Sequence, residues 1–316
     1  MAKTKSGGAS PKTSEAVTEP TSAANKSSSK GLSAIAYWTP EQMRSAQLHP
    51  ALKAKRSSKK EKKKPAKADA QAPKPKRAKP RDAERRIAAL STEYQTTVVT
   101  DASIFPSATI GKIYYTMNGG NYFCTGYVVG NRVVFTLASV LYDRGSQSWA
   151  QNVVFYPQYN NGPGAGLGAF EIGELWCAAG WQEDGNYLHN WGALIGTGAI
   201  SPFTGSVGLM ANYPANQGQY LVYGYPGTPT PGYPFDGERM WQTVSAYIAD
   251  YDWSIYASGN MTYGAHGAPW LIFREGGWHA NGIYMGQVVD PDGMLSPYFG
   301  NELWDFYTFL QGKGYT

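Results

Sequence analysis

From about Thr109 onward the chain alternates short apolar runs with Gly, Asn and Pro. Period-two or continuously apolar stretches of a few residues fit strands buried on one face or both. By that pattern strands are predicted at Ile110 to Met117, Phe123 to Val129, Arg132 to Ala138, Asn152 to Tyr156, Gly192 to Ile195 and Val207 to Met210. Further strands are predicted at Tyr220 to Tyr225, Gln242 to Ile248, Trp253 to Ser258, Trp270 to Phe273 and Asn281 to Gln287. Turn residues fall between them at Asn118-Gly119-Gly120, Gly130-Asn131, Asn160-Asn161-Gly162-Pro163 and Pro226-Gly227. A helical period appears only near the end, where Leu303, Phe306 and Leu310 share a face of a segment that stops before Gly312. Many short strands and one closing helix predict an all-β sandwich or barrel pair.

The pattern is absent upstream. Ser, Ala, Lys and Pro dominate there, and such a stretch cannot bury enough apolar surface to offset the entropy of ordering it. A disordered tail is therefore expected over residues 1–100. One island differs, Tyr37-Trp38-Thr39-Pro40-Glu41-Gln42-Met43-Arg44-Ser45-Ala46. Thr39 can cap a short helix that starts at Pro40, and an isolated aromatic segment of this kind is expected to dock onto something.

Charge sharpens the division. The formal net charge of +5 over 316 residues combines two opposite parts. Up to Arg86, 22 Lys and Arg face 7 Asp and Glu, and beyond it 6 face 16, so a strongly basic tail precedes an acidic body. Between Lys53 and Arg86, 16 of 34 positions are basic, and Pro65, Pro75 and Pro80 discourage a helix. This run suits nucleic acid, an anionic membrane surface, a nuclear address, the acidic body of the same chain, or a plain solvated spacer, and charge density does not choose among them. Arg85-Arg86 is a candidate processing point.

The start lacks the apolar stretch of a signal peptide, and no run of 18 apolar residues occurs, which points to the cytoplasm or nucleus rather than export and to no transmembrane segment. Cys124 and Cys177 imply no disulfide framework; they pair once or stay as two buried thiols, the latter suiting a reducing compartment. His189 and His279 have no ligand-spaced partners, so neither metal nor cofactor is expected. Asn260-Met261-Thr262 matches a glycosylation acceptor that matters only in a secretory setting. Nine of the ten Trp lie beyond residue 140; core packing is the expected use, with a carbohydrate-binding sandwich as an alternative.

Several segments carry a resemblance in their order and spacing. They are Ile110 to Tyr115 with Cys124-Thr125-Gly126-Tyr127-Val128-Val129, then Val133 to Val140, then Tyr187 to Leu194. Tyr223-Gly224-Tyr225-Pro226-Gly227, Met240-Trp241 and Tyr263-Gly264-Ala265-His266-Gly267-Ala268-Pro269-Trp270 come next. Over about residues 105 to 290 the chain resembles the trypsin-like serine peptidases, closest to the bacterial glutamyl endopeptidase branch. The Trp38 to Arg44 island also resembles one found upstream of the peptidase domain in actinobacterial members. The resemblance implies two six-stranded Greek-key β-barrels of the chymotrypsin type, over 105–200 and 201–316, the second with the C-terminal helix.

It also implies a site. The last segment has the frame Gly-x-Ser-Gly-x-Pro with His266 where the serine belongs, Ser139 falls at the imidazole position and Asn190 at the carboxylate position. The hydroxyl nucleophile, the imidazole that takes its proton and the carboxylate that orients the imidazole are thus all missing from their places. The amides of Gly264 and His266 can still form an oxyanion-hole-like nest, which binds an anion or carbonyl but supplies no nucleophile. Tyr284 takes the specificity-pocket position, where the glutamyl branch reads Gly-Ile-His, and Val140 replaces the cysteine that would meet Cys124. Asp184 precedes Asn190 by six residues and reads as a loop carboxylate.

The function implied is a non-catalytic peptidase homologue acting as a binding or scaffold protein, with a peptide or protein in the inter-barrel cleft and anionic partners on the tail. One alternative is an active endopeptidase with a rearranged site, in which Ser139 and His266 form the dyad with its members exchanged and hydrogen-bonded. Another is a nucleic-acid-associated or structural assembly protein.

Overall fold

A computed structural model describes residues 20–24, 33–49, 94–162, 167–216, 218–251, 254–289 and 292–316. The basic run from Lys53 to Arg86, with its Arg85-Arg86 pair, lies outside the described residues.

Three strands and two helices lie within the stretch expected to be a disordered tail. They are β1 (Thr21–Ala24), α1 (Ala34–Tyr37), α2 (Pro40–Ser45), β2 (Gln47–Leu48) and β3 (Tyr94–Val98). Composition averaged over the tail hides them, because each is short and fastened to the body rather than to its neighbours. The Tyr37 to Ala46 island docks as expected. Thr39 and Gln42 form a reciprocal capping box with Pro40 in the first turn. Trp38 buries its ring 5.1 Å from that of Tyr114 and donates from Nε1 to the Asn152 carbonyl at 2.6 Å, while the Tyr37 hydroxyl donates to Asn121 Oδ1 at 2.8 Å. An indole placed this way removes a large apolar surface from water and still satisfies its one donor, which is enough to fix a two-turn segment.

The first barrel comprises β4 (Ile110–Met117), β5 (Gly120–Val128), β6 (Val133–Thr136), β9 (Gln151–Pro157), β10 (Phe170–Cys177) and β11 (Gly192–Gly196), with a small hairpin of β7 (Tyr142–Asp143) and β8 (Ser148–Trp149) at its rim. Antiparallel pairing runs β10-β11-β6-β5-β4-β9 and returns from β9 to β10 at Phe155↔Phe170, so the ring closes. Residues Ile113, Val134, Phe155, Leu175 and Leu194 are fully buried within it. The sequence pattern passed over β10. Gly173 sits at a register shift between Ile172 and Glu174, and a bulge of this kind breaks the alternation by which a strand is read.

The second half is built from β12 (Gly208–Leu209), β13 (Gln219–Gly224), β14 (Trp241–Tyr251), β15 (Ser254–Ser258), β16 (Pro269–Arg274), β17 (Gly277–Ile283), β18 (Gly286–Val289) and β19 (Asp292–Pro297). The order is β12-β17-β16-β13-β14-β15-β19-β18, with β3 added to β14. No ladder joins β17 to β19 among the described residues. The sheet curls until the Ile283 amide donates to Ser296 Oγ and the Met285 amide to the Leu295 carbonyl, both at 2.8 Å. The chymotrypsin-type fold is therefore present, with the first half a closed six-stranded barrel and the second a curled sheet of nine strands counting β3. Asn260, of the possible glycosylation triplet, is buried and accepts from Thr96 Oγ1 at 2.6 Å, which seals it from modification in the folded chain.

The closing helix runs Asn301–Gly312, with Leu303, Phe306 and Leu310 on its buried face as the spacing predicted. It returns to the first barrel, where Phe306 meets Phe135 at 5.8 Å and the Tyr307 hydroxyl donates to the Val129 carbonyl at 3.2 Å. Between the barrels, the Lys112 ammonium on β4 is held 2.9 Å from Glu238 Oε1 of the second half. The rings of Tyr114, Phe123 and Tyr159 surround it at 4.8, 4.2 and 4.5 Å, and the Tyr159 hydroxyl donates to Glu238 Oε2 at 2.6 Å. Burial pushes the Lys112 pKa down to about 8 against the pull of Glu238.

Candidate functional site

β6 ends at Thr136, and after Leu137 a one-turn helix (Ala138–Leu141) carries Ser139. Asn190 ends the 3-10 turn Tyr187–His189, immediately before β11. Because β11 pairs with β6 from Gly192↔Thr136, these two turns emerge side by side, and Asn190 Oδ1 accepts from the Ser139 amide at 2.8 Å. His266 lies in the loop before β16.

That loop is shaped by two glycines in the left-handed region, Gly264 (φ 97°) and Gly267 (φ 88°). A Cβ on Gly267 would strike the Thr125 carbonyl and the Thr136 hydroxyl, so the loop can sit against β5 and the end of β6 only with glycine there. The Thr125 amide donates to the His266 carbonyl at 2.9 Å and the Thr125 hydroxyl to the Gly264 carbonyl at 3.0 Å, which ties the loop to the first barrel. Ala265 and Gly267 use their amides within the fold, at 3.0 Å to Thr262 and 2.9 Å to Tyr284. Among the described residues the Gly264 and His266 amides have no acceptor.

Ser139, Asn190 and His266 are all buried, and Ser139 Oγ, Asn190 Nδ2 and His266 Nδ1 have no hydrogen-bond partner among the described residues. The hydrogen bond expected of an exchanged Ser139 and His266 dyad is not formed. The His266 imidazole is also poorly suited to take a proton: burial, with a smaller contribution from His49, pushes its pKa down to about 3. Tyr284 is buried in the second core, its ring 5.6 Å from that of His266 and its hydroxyl donating to the Met261 carbonyl at 2.6 Å. A large aromatic side chain thereby fills the space beside the His266 ring.

Two residues of the site escaped the sequence reading. Leu48 and His49 come directly after the docked island, and each touches both halves of the molecule. β2 adds parallel to β5, with Gln47↔Tyr122 and Leu48↔Phe123. A Cβ on Gly227 would come within 2.5 Å of Leu48 Cδ2 and one on Gly264 within 3.2 Å, so both glycines leave room for that side chain. His49 is buried, contacts the Tyr115 hydroxyl through Nδ1, and sets its ring edge-on to His266 at 5.7 Å. Burial lowers its pKa to about 4, opposed by Asp143. The available signal was faint: Leu48 is an apolar residue two positions beyond the island, shortly before the basic run begins.

The remaining candidates stay apart from this cluster. Cys124 and Cys177 are both free and buried, the Cys177 thiol pushed up to about 12 by burial and Cys124 higher still. His189 packs edge-on to Trp191 at 5.6 Å, and His279 Nδ1 sits 3.2 Å from the Gly277 carbonyl. Asp184 ends a short helix on the surface.

Comparison with known proteins places this architecture. No protein-family model matches the chain. A curated relative, the glutamyl endopeptidase of Bacillus licheniformis, is 24% identical over 203 residues, which is 60% of this chain and 60% of that protein. Among solved structures, the thermostable serine protease AL20 from an extremophilic microorganism is 25% identical with a TM-score of 0.58, covering 64% of this chain and 96% of its own. Protease Anisep from Arthrobacter nicotinovorans is 24% identical with a TM-score of 0.57, covering 67% and 97%. A Glu endopeptidase in complex with MPD shares 16% identity with a TM-score of 0.59, covering 71% and 99%. The chain thus has the chymotrypsin fold and is a distant homologue of serine proteases that carry it.

Proposed function

We propose that this protein is a non-catalytic homologue of those proteases and acts by binding, with an extended peptide or protein segment held between its barrels. The observation that carries the reading is the content of the three triad positions, where Ser139, Asn190 and His266 stand and no hydrogen bond links Ser139 Oγ to His266. Asn190 cannot balance the charge of an imidazolium. The buried Tyr284 further supports loss of substrate selection, because no charged or imidazole group stands in that position to read an acid.

No turnover of casein or of peptide libraries is expected from the full chain, and a fluorophosphonate probe is expected to leave Ser139 unlabelled. Turnover abolished by His266→Ala or Ser139→Ala would establish the rearranged enzyme instead.

The tail supplies a second contact in this reading. The Lys53 to Arg86 run offers its charge to a polyanion such as duplex DNA, and each lysine that neutralises a phosphate contributes about 0.9 to the slope of log affinity against log salt. Replacing Lys59, Lys60, Lys62, Lys63 and Lys64 with Gln is expected to weaken duplex DNA binding and to flatten that slope. Unchanged affinity and slope would rule out nucleic acid as the partner of the tail.

A further inference from the structure

The cleft assigned to a partner is occupied. We propose that residues 47–49 (Gln47, Leu48 and His49) are an internal, displaceable occupant of the inter-barrel cleft, so that the chain holds its own binding site closed until this segment is drawn out. The inference rests on the reading of the cleft as a binding site, and it names what any external peptide must compete with.

The mode of seating is that of an added strand. β2 adds to the part of β5 that runs past its pairing with β6, at Tyr122 and Phe123, which gives main-chain recognition without regard to side chains. Selectivity comes from two side chains of the segment. Leu48 drops into space left by Gly227 and Gly264, and His49 closes over His266 while contacting the Tyr115 hydroxyl. A Cβ on Gly227 would meet Leu48 first, whereas one on Gly264 would meet the Tyr225 carbonyl and the Phe123 ring before Leu48, so the steric fit to this side chain is set chiefly at Gly227. The partner this surface suits is an extended segment with a medium-sized aliphatic residue and, next to it, a flat ring.

The segment is also positioned to leave. Residues 50–93 separate it from β3, a tether of 44 residues that can span far more than the molecule's own width when extended. The basic run starts at Lys53, four positions after His49. A polyanion that captures that run therefore acts on the stretch adjoining the seated residues.

The test uses a fluorescein-labelled synthetic peptide of residues 33–49 with two full-length proteins, the wild type and the variant Trp38→Ala, Leu48→Gly, His49→Ala. The variant is expected to bind the peptide at least 10-fold more tightly than the wild type by anisotropy, because its own segment no longer competes. Equal affinity, or no binding to a variant whose near-UV circular dichroism and thermal transition match a folded protein, overturns the proposal. If that variant does not fold, Leu48→Cys replaces it. With Cys124 and Cys177 buried and their thiols held protonated, maleimide then reports Cys at position 48 alone. Labelling is expected to be slower than that of a free synthetic 33–49 peptide carrying the same Leu48→Cys change and to accelerate with excess unlabelled peptide; protection that millimolar peptide does not relieve means a permanent structural strand and overturns the proposal, as does labelling at the free-peptide rate. Turnover by either protein would remove the non-catalytic reading and leave these results standing, whereas failure of exchange leaves the absence of turnover untouched.

Discussion

Glu238→Ala is expected to lower the unfolding free energy by about 3 kcal/mol, the low end of what removing one partner of a buried ion pair costs. The size reflects the asymmetry of the pair: the Lys112 side chain is fully buried, whereas that of Glu238 is 40% exposed. Without its carboxylate the ammonium keeps the rings of Tyr114, Phe123 and Tyr159 and the more distant charge of Asp236, and loses its ion-pair partner. The Tyr159 hydroxyl loses its acceptor in the same step. Lys112→Met is expected to cost only about 1 kcal/mol, because a flexible apolar chain fills the same sleeve and Glu238 can turn outward. Urea denaturation of the two variants checks the ranking, and a larger loss for Lys112→Met would refute this explanation of the barrel junction. The pH dependence gives a second readout. With a folded pKa of about 8 against 10.5 when unfolded, Lys112 penalises the folded state below about pH 8 and the penalty is relieved as pH rises through that window. Removing Glu238 takes away the larger of the two influences that raise the pKa and leaves that of Asp236, so relief begins at lower pH.

Acid is expected to weaken the fold through two histidines at once. His49 and His266 are held neutral, with pKa values of about 4 and about 3 against 6.5 when unfolded. Above pH 6.5 both states are neutral and neither group affects stability. As pH falls from 6.5 toward 4 the unfolded chain takes up protons that the folded chain refuses, so stability is lost at about 1.4 kcal/mol per pH unit for each histidine, on the order of 3 kcal/mol apiece by pH 4. The groups that face the pair are Tyr115 on β4, Asp143 on β7, and Tyr263 and Tyr284 beside the His266 loop. Of these only Asp143 opposes the shift, and only for His49. Thermal unfolding of the wild type and of His49→Gln/His266→Gln at pH 7, 5.5 and 4 measures the difference. A wild-type decline no steeper than that of the double variant would show that these imidazoles are not the titrating groups.

Much of this arrangement was legible in the sequence, for reasons that separate cleanly. β4 and the closing helix announced themselves because Ile110 to Met117 is nearly continuous in apolar residues and Leu303, Phe306 and Leu310 keep a helical period. β10 did not, because Gly173 interrupts its alternation at a bulge. Trp38 was visible as an aromatic in a polar tail, so docking was foreseeable, but the Asn152 carbonyl that accepts its indole proton is 114 positions away. His49 carried no signal at all: a single histidine beside a basic run has no periodicity, and its burial against His266 exists only once two distant loops meet. The positions of Ser139, Asn190 and His266 came from resemblance. Their chemistry came from the fold, which leaves one polar atom of each without a partner and depresses the basicity of the one imidazole among them.

The seam of the second sheet gives the two halves unequal mechanics. The first ring is closed by a short ladder of two successive residue pairs, Phe170↔Phe155 and Glu171↔Val154. Between β17 and β19 the closure is the single side-chain bond from the Ile283 amide to Ser296 Oγ, while the Met285 amide bond to Leu295 extends the β18–β19 pairing. The second half can therefore loosen along a single line while every strand keeps its neighbours, a low-energy local opening of the sort that precedes global unfolding. That line begins at Ile283 and runs into Tyr284, whose ring rests on His266, so the looser half of the molecule borders the site directly.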